Sequence, residues 1–263
     1  MCRVTPFPAK VSDLRGFLKV VFPYGDCFWV YRGQPDGSRP LLPKAGRPEF
    51  YDEVYERYRR DLLARKTKKF LLPKDLARFN VWSEQAVAYC DLLPENNFER
   101  LAYAQHYGLA TRLLDWTSNP LVALFFAAES RDKHNGTLDG AVFAYAKQPY
   151  LDPKRDTFQS IQRVTMYEPR PFDRRLLMQD ALFTYHPEPN VALVARIQQS
   201  SSNLIKIGVA AKSKDMILSE LSGIGISRKR LFPDLEGLSM FVNWETERAV
   251  EARNRSELPR SLA

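Results

Sequence analysis

Cysteine is scarce in this sequence, which has three among its 263 residues, at positions 2, 27 and 90. Their odd number and scattered spacing argue against a disulfide framework or a zinc module, and favour the reducing cytoplasm as the protein's location. Histidine is equally rare. Because His134 and His186 stand apart without the spacing of metal ligands, we predict no metal site.

Long apolar runs and the common nucleotide motifs are absent as well. No apolar run approaches the roughly 18 residues that span a membrane. The first 17 residues lack the apolar core of a signal peptide, so we expect no membrane association. No GxGxxG follows a strand-like run, and no GxxxxGK[ST] or GxSxG sequence occurs. The usual dinucleotide, P-loop and serine-hydrolase sites therefore lack their motifs.

Positive charge exceeds negative charge, with a formal net charge of +8 and a pI near 9.4. This excess favours anionic partners, nucleic acid first. The cations concentrate in residues 57–69 and in Arg228-Lys229-Arg230. Glu53, Glu56 and Asp61 lie within or beside the first cluster, so two interpretations stay open. The clusters are either solvated helix faces or a surface that steers an acidic macromolecule; in the second case, charge reversal at Lys66, Lys68 and Lys69 should weaken nucleic-acid binding.

Hydrophobic periodicity indicates one α+β domain. Strands are predicted at 27–31, 141–146, 181–186 and 204–209, and helices at 12–22, 49–69, 75–92, 98–107, 120–129, 214–221 and 233–253. Ser12 and Ser213 are the predicted helix caps. This order predicts a mixed or antiparallel sheet with an N-terminal helical block. Residues 147–177, rich in proline, are predicted to be an irregular insertion. The domain is expected to occupy 1–245, leaving the end of the last helix and a tail at 246–263.

The most informative stretch is residues 104–129, AQHYGLATRLLDWTSNPLVALFFAAE. Many polar side chains lie here between two apolar helical segments, as in a loop that builds a site. Gly108 is suited to ending the first helix. Asn119 and Pro120 are suited to starting the second, whose apolar sequence predicts burial and whose N-terminus favours anions.

Several motifs together resemble the FRG domain family, which is named for a Phe-Arg-Gly signature. They are Tyr31-Arg32-Gly33-Gln34, AQHYG at 104–108, TRLLDWT at 111–117, Asn119-Pro120-Leu121 and FPDLEGL at 232–238. Tyr31 stands at the Phe position. Residues 179–184 are similar to the family's Gln-x-Gly-x-Phe element, with Ala181 in place of Gly. The resemblance covers roughly 15–245 and implies a bacterial or phage-linked protein of toxin or defence contexts.

The layout is also similar to that of ADP-ribosyltransferases, which implies an arrangement like theirs. By that resemblance Arg32 would meet the pyrophosphate of NAD, and Thr117-Ser118 would support the nicotinamide ribose. Gln179 or Asp180 would take the place of the late catalytic residue. The usual glutamate is not at the expected position. A guanidinium suits the phosphates, and a carboxylate or amide suits the oxocarbenium-like charge that forms when the glycosidic bond of NAD breaks.

We therefore predict catalytic roles for His106, Asp115, Gln179 and Asp180. Predicted to bind the cofactor, NAD consumed as a substrate, are Arg32, Gly33, Gln34, Gln105, Tyr107, Arg112, Trp116, Thr117, Ser118 and Asn119. Some have structural alternatives: Asp115 could pair with Arg112 or Arg32, and Trp116 could pack in the core. Glu129 is predicted to be solvated or structural, with a role in the site as its alternative. We expect one cleft to bring together Arg32, Gln105, His106, Asp115, Thr117 and Gln179.

The leading functional hypothesis is an NAD-dependent, ADP-ribosyltransferase-like effector of a bacterial toxin or anti-phage defence system. Its acceptor would be nucleic acid or a nucleic-acid-associated protein, and an antitoxin or inhibitor would be its regulatory partner. Two alternatives stay open. One is a non-enzymatic module that binds a nucleotide or nucleic acid. The other is a phosphodiester-cleaving enzyme that uses His106 and Asp115, although the sequence lacks a cluster of metal-binding carboxylates.

Overall fold

A mixed sheet of seven strands organises the chain in a computed structural model that describes residues 10–22, 29–64, 71–129, 137–193 and 203–257. The strands are β1 (Lys10–Val11), β2 (Trp29–Gln34), β3 (Leu113–Thr117), β4 (Gly140–Ala146), β5 (Thr165–Tyr167), β6 (Ala181–Tyr185) and β7 (Leu204–Val209). Their order is β1-β7-β4-β2-β3-β6-β5, in which β1 pairs in parallel with β7 and all other pairs are antiparallel. The predicted α+β class is confirmed.

The helices are α1 (Leu14–Val21), α2 (Glu53–Ala64), α3 (Lys74–Ala86), α4 (Asn97–His106), α5 (Pro120–Ala128), α6 (Arg174–Met178), α7 (Lys214–Gly223), α8 (Arg228–Leu231) and α9 (Leu235–Glu257). Single turns of 3₁₀ helix lie at Lys44–Gly46 and Ala211–Ser213. None of these helices is both long and apolar enough to cross a membrane.

Helix α5 is the core helix that the sequence predicts. Asn119 caps it by accepting a hydrogen bond from the Leu121 amide, and Pro120 is its first residue. Its apolar side chains pack against β2 and β4. The contact with β2 is so close that a Cβ atom on Gly33 would lie 1.9 Å from the Ala123 carbonyl oxygen. Only glycine fits at position 33, so this residue sets the distance between α5 and the sheet.

The sheet is nearly divided between β2 and β3. Strand β2 pairs with β4 over all six of its residues, but it meets β3 at a single register, Tyr31↔Thr117. The strands β3, β6 and β5 then continue the sheet on the far side. From Thr117 back toward the start of β3, no further backbone pairing joins the two parts of the sheet. The candidate functional site lies at this opening.

Three features of the fold differ from the sequence prediction. Residues 113–117 form a central strand, not a loop, because four of its five side chains are buried on the two faces of the sheet. The predicted irregular insertion at 147–177 contains β5 and most of α6. A short strand, β1, precedes α1. All three depend on partners distant in sequence, which local periodicity does not report.

Several helices also begin or end at residues other than those predicted from the sequence. Asp13 caps α1, because its carboxylate accepts from the Gly16 amide, whereas Ser12 was predicted. Ser213 precedes α7 without a side-chain cap, and Gly225, with φ +88°, follows its end. Helix α3 ends at Ala86 instead of residue 92, and α9 begins at Leu235, two residues after Pro233. Cys27, Phe28 and residues 65–69, which belong to predicted elements, lie outside the described residues.

Arg112 is a buried cation near the site whose guanidinium donors are hydrogen-bonded. Its Nε and Nη2 donate to the two carboxylate oxygens of Asp75 at 2.6 and 2.7 Å, and its Nη1 donates to the Tyr185 hydroxyl at 3.1 Å. Both partners are over nine-tenths buried. Burial alone would lower the pKa of Arg112, but Asp75 and Tyr185 together raise it. This pair attaches α3 to the start of β3.

We expect Arg112→Ala to lower the free energy of unfolding by about 3–5 kcal/mol, because it leaves Asp75 as an uncompensated buried carboxylate. Urea denaturation measures the change. Arg155→Ala is the matched control, since Arg155 pairs with Asp152 on the surface and is 88% exposed. That control should change stability by less than about 1 kcal/mol. Similar small losses in both variants would contradict the structural role of Arg112.

Candidate functional site

A cleft of about 300 Å³ lies where β2 and β3 separate. Its walls come from the end of β2, the end of α4, strand β3 and the turn between α6 and β6. The six residues that were predicted to converge all line it: Arg32, Gln105, His106, Asp115, Thr117 and Gln179. That prediction is confirmed as a statement of position, and it brings together residues from four separate parts of the chain.

A chain of polar contacts crosses the cleft and centres on Asp115. Arg32 Nη1 donates to the Asp115 backbone oxygen at 2.8 Å and lies 3.3 Å from Oδ2. Gln105 Nε2 donates to the other carboxylate oxygen, Oδ1, at 2.7 Å. Thr111 Oγ1 donates to Gln105 Oε1 and accepts from the Leu113 amide. The orientation of Asp115 is therefore set from both sides.

Arg32 bridges β2 and β3 at the place where backbone pairing between these strands is missing. Its guanidinium binds the Asp115 carbonyl in the region where the backbone ladder is missing. The side chain is 16% exposed, and burial lowers its pKa, while Asp115 raises it. Nε is buried without an acceptor among the described residues. Only Nη1 bonds to the described part of the chain, so donors of this guanidinium remain for another acceptor.

His106 ends α4 at the edge of the cleft. Its Nε2 lies 3.7 Å from Asp173 Oδ2, and its ring meets Tyr107 and Phe172 edge to face. Burial lowers the pKa of His106; the Asp173 carboxylate raises it and Arg175 lowers it. The net lowering of its pKa favours the neutral imidazole, which can accept a proton.

A tight pair of turns forms the end of the cleft. Thr117 Oγ1 accepts from the Asn119 amide, and the Ser118 amide donates to the Asp180 carbonyl. Asp180 has φ 45°, the left-handed conformation that is uncommon outside glycine. Gln179 Nε2 donates to the Leu231 carbonyl at 2.9 Å, which holds its amide against α8. These bonds join β3, β6 and the C-terminal helices around the cleft.

Other predicted site residues lie elsewhere. Arg112 is part of the buried pair with Asp75, and Gln34 and Tyr107 do not border the cleft. Trp116 borders it, but the indole is buried beside Tyr145 and donates to Thr184. Arg112 and Trp116 are held in structural contacts, and Gln34 and Tyr107 lie outside the cleft, so we leave the four residues out of the proposed site. Gly33 borders the cleft through its contact with α5, while Ser118, Asn119 and Asp180 build the turns behind it.

The cleft also contains residues that the sequence prediction missed. Arg175, Phe126, Phe183 and Leu176 line it, as does Tyr31, a residue buried in the core. Arg175 follows Asp173, whose side chain caps α6 by accepting from the Arg175 amide. The Asp before an RRLLM run was the available signal for that helix. Its place beside β6 could not be predicted, because the preceding segment shows no periodicity.

The fold and cleft define a class first: an α+β domain with a polar site where its central sheet opens. Within that class, the family model described as FRG domain matches residues 28–136. The matched segment is similar to the FRG domain, and it includes Arg32, Gln105, His106 and Asp115. Gln179 and Asp180 lie beyond the matched residues. No curated protein and no solved structure matches the chain.

The predicted basic surface is only partly described. Arg57 pairs with Glu53 on α2, as expected for a solvated helix face, whereas Arg59 pairs with the buried Glu56. Lys66, Lys68 and Lys69 lie outside the described residues. Arg228 is not a surface cation, because it is buried and pairs with Glu129, which settles the open alternative for Glu129 as structural.

Two substitutions beside His106 should shift its pKa in opposite directions. Asp173→Asn should lower the His106 pKa further, since it removes the carboxylate that raises it while an amide can still cap α6. Arg175→Gln should raise the pKa, since it removes a nearby cation. An NMR titration of the imidazole signals measures both, and His106→Gln assigns the resonance. Shifts of the same sign in the two variants would show that neither charge acts on His106 directly.

Proposed function

We propose that the cleft binds NAD and breaks its nicotinamide glycosidic bond, as in an ADP-ribosyltransferase. The observation that supports this most is the held carboxylate of Asp115. It is fixed by Arg32 on one oxygen and Gln105 on the other, yet 59% of the side chain stays exposed to the cleft. Each carboxylate oxygen can accept about two hydrogen bonds, so both retain capacity for ribose hydroxyls.

The proposed chemistry assigns one task to each group. Arg32 binds the phosphates through its remaining donors, which suits a guanidinium. Asp115 stabilises the positive charge that develops on the ribose as the bond from C1′ to the nicotinamide nitrogen breaks, with the electron pair leaving on nicotinamide. The acceptor oxygen, from water or another molecule, then bonds to C1′. Neutral His106 takes the acceptor's proton. Gln179 orients the ribose or the acceptor.

The surrounding residues suit a planar ring. Phe126 is partly exposed and lines the same cleft as the polar groups, beside the buried Tyr31 and Phe183, and an aromatic side chain packs well on a nicotinamide or adenine ring. The described residues contain no group of three or more His, Cys, Asp or Glu side chains that could hold a metal ion. Metal-assisted phosphodiester cleavage therefore has less support than NAD chemistry.

The biological setting is part of the same proposal. An effector of bacterial toxin or anti-phage defence would act in the cytoplasm, where NAD is plentiful, under control of an antitoxin or inhibitor. The net charge of +8 supports a nucleic acid, or a protein bound to one, as the acceptor. An acceptor of that kind should make modification of the macromolecule sensitive to salt, while hydrolysis of NAD alone should not be.

Nicotinamide release from NAD, followed by chromatography, tests the proposal. Asp115→Asn should lower kcat by about 10²–10⁴, because it removes the charge and keeps the hydrogen-bond acceptor. Arg32→Ala should abolish turnover and change stability by no more than about 1 kcal/mol, since its ion pair is partly solvent-exposed. Arg155→Ala, an exposed arginine outside the cleft, should match the wild type.

Three results would contradict the proposal in different ways. NAD binding without nicotinamide release would identify a non-enzymatic nucleotide-binding module. Cleavage of nucleic acid that depends on His106 and Asp115 would identify a phosphodiester-cleaving enzyme. If Arg32→Ala unfolds easily enough to explain its loss of turnover, the role of Arg32 is structural and not in binding.

A further inference from the structure

A second, smaller hollow of about 180 Å³ adjoins the cleft. It shares Arg32, Gln105 and Asp115 with the cleft, and Lys44 and Arg47 complete its polar lining. We call this hollow the small lobe. Arg32 and Asp115 thus form a boundary that a single extended ligand would contact from both sides.

The small lobe has an excess of positive charge. Arg32, Lys44 and Arg47 line it, and Asp115 is the one carboxylate among its lining residues in the described part of the chain. The charge of Arg47 contributes to the lowered pKa of Arg32, after the larger effect of burial. When two guanidinium groups lie close enough for their positive charges to repel, an anion that binds between them offsets this repulsion.

The donors of these cations are only partly used. Lys44 Nζ donates to the Gly108 carbonyl at 2.9 Å and lies over the Phe50 ring. Arg32 uses Nη1 alone. The Arg47 side chain makes no hydrogen bond or ion pair with the described residues, although it lines a concave site and is only partly exposed. Arginine in such a place presents a full planar set of donors, which matches phosphate oxygens.

We propose that the small lobe is a diphosphate subsite, in which Arg32, Lys44 and Arg47 together bind the phosphates of the ligand. This inference rests on the proposed function for the identity of that ligand as NAD. It adds an orientation: the diphosphate lies on the Lys44 and Arg47 side of Asp115, and the nicotinamide ribose lies in the larger cleft beside His106. The same chemistry recognises any compound with a pyrophosphate linkage.

Inorganic pyrophosphate is the probe, because it tests the subsite without requiring NAD chemistry. Isothermal titration should give one site on the wild-type protein. Arg47→Gln should weaken that binding about tenfold, as expected for one lost charge-assisted contact, and Arg47→Lys should fall between the two. Because the Arg47 side chain bonds to no described residue, its replacement should leave thermal unfolding unchanged. Arg155→Gln, which removes an exposed arginine outside both cavities, should bind as the wild type does.

Adenosine, ADP and ADP-ribose extend the test. Arg47→Gln should weaken ADP and ADP-ribose by the same factor as pyrophosphate and should change adenosine affinity less than about twofold. No pyrophosphate binding by the wild type, or equal binding by Arg47→Gln, would overturn the subsite whatever the protein does with NAD. Pyrophosphate binding that Arg47→Gln weakens, in a protein that releases no nicotinamide, would support the subsite and overturn only the proposed function.

Discussion

The contact between Arg32 and Asp115 bridges two strands of the sheet that share almost no backbone pairing. Strands β2 and β3 meet only at Tyr31↔Thr117, and the guanidinium of Arg32 binds the Asp115 carbonyl beyond that point. The opening creates the cleft, and the residue that spans the opening also forms its wall. Because the same side chain bridges the strands and is proposed to bind the phosphates, a test of Arg32 must measure stability and turnover separately.

Buried packing and a buried ion pair surround this contact. Gly33 allows α5 to pack directly on β2, and the buried pair of Arg112 and Asp75 attaches α3 to the start of β3. Gln105, at the end of α4, then orients Asp115, and Thr111 orients Gln105. A site held by such packed elements keeps its charged groups in position before a ligand arrives, which is what electrostatic stabilisation of a developing charge requires.

Local signals in the sequence predicted those parts of the fold that depend on neighbouring residues. Asn119, Pro120 and the apolar run after them correctly gave the start and burial of α5. Polar residues at the ends of elements correctly indicated the cleft. Strand β3 was missed because both of its faces are buried, so LLDWT shows no alternation. The pairing of Arg112 with Asp75 spans 37 residues and depends on tertiary structure, as does the place of Arg175.

The central claim is that the opening between β2 and β3 binds NAD with its diphosphate at Arg32 and its nicotinamide ribose at Asp115. The most direct measurement is a crystal structure of the Asp115→Asn variant grown with saturating NAD, since slow turnover would preserve the dinucleotide. The account predicts an intact NAD molecule whose phosphates contact Arg32 and whose nicotinamide ribose lies within hydrogen-bond distance of residue 115. An empty cleft at saturating NAD, or a dinucleotide bound away from both residues, would contradict it.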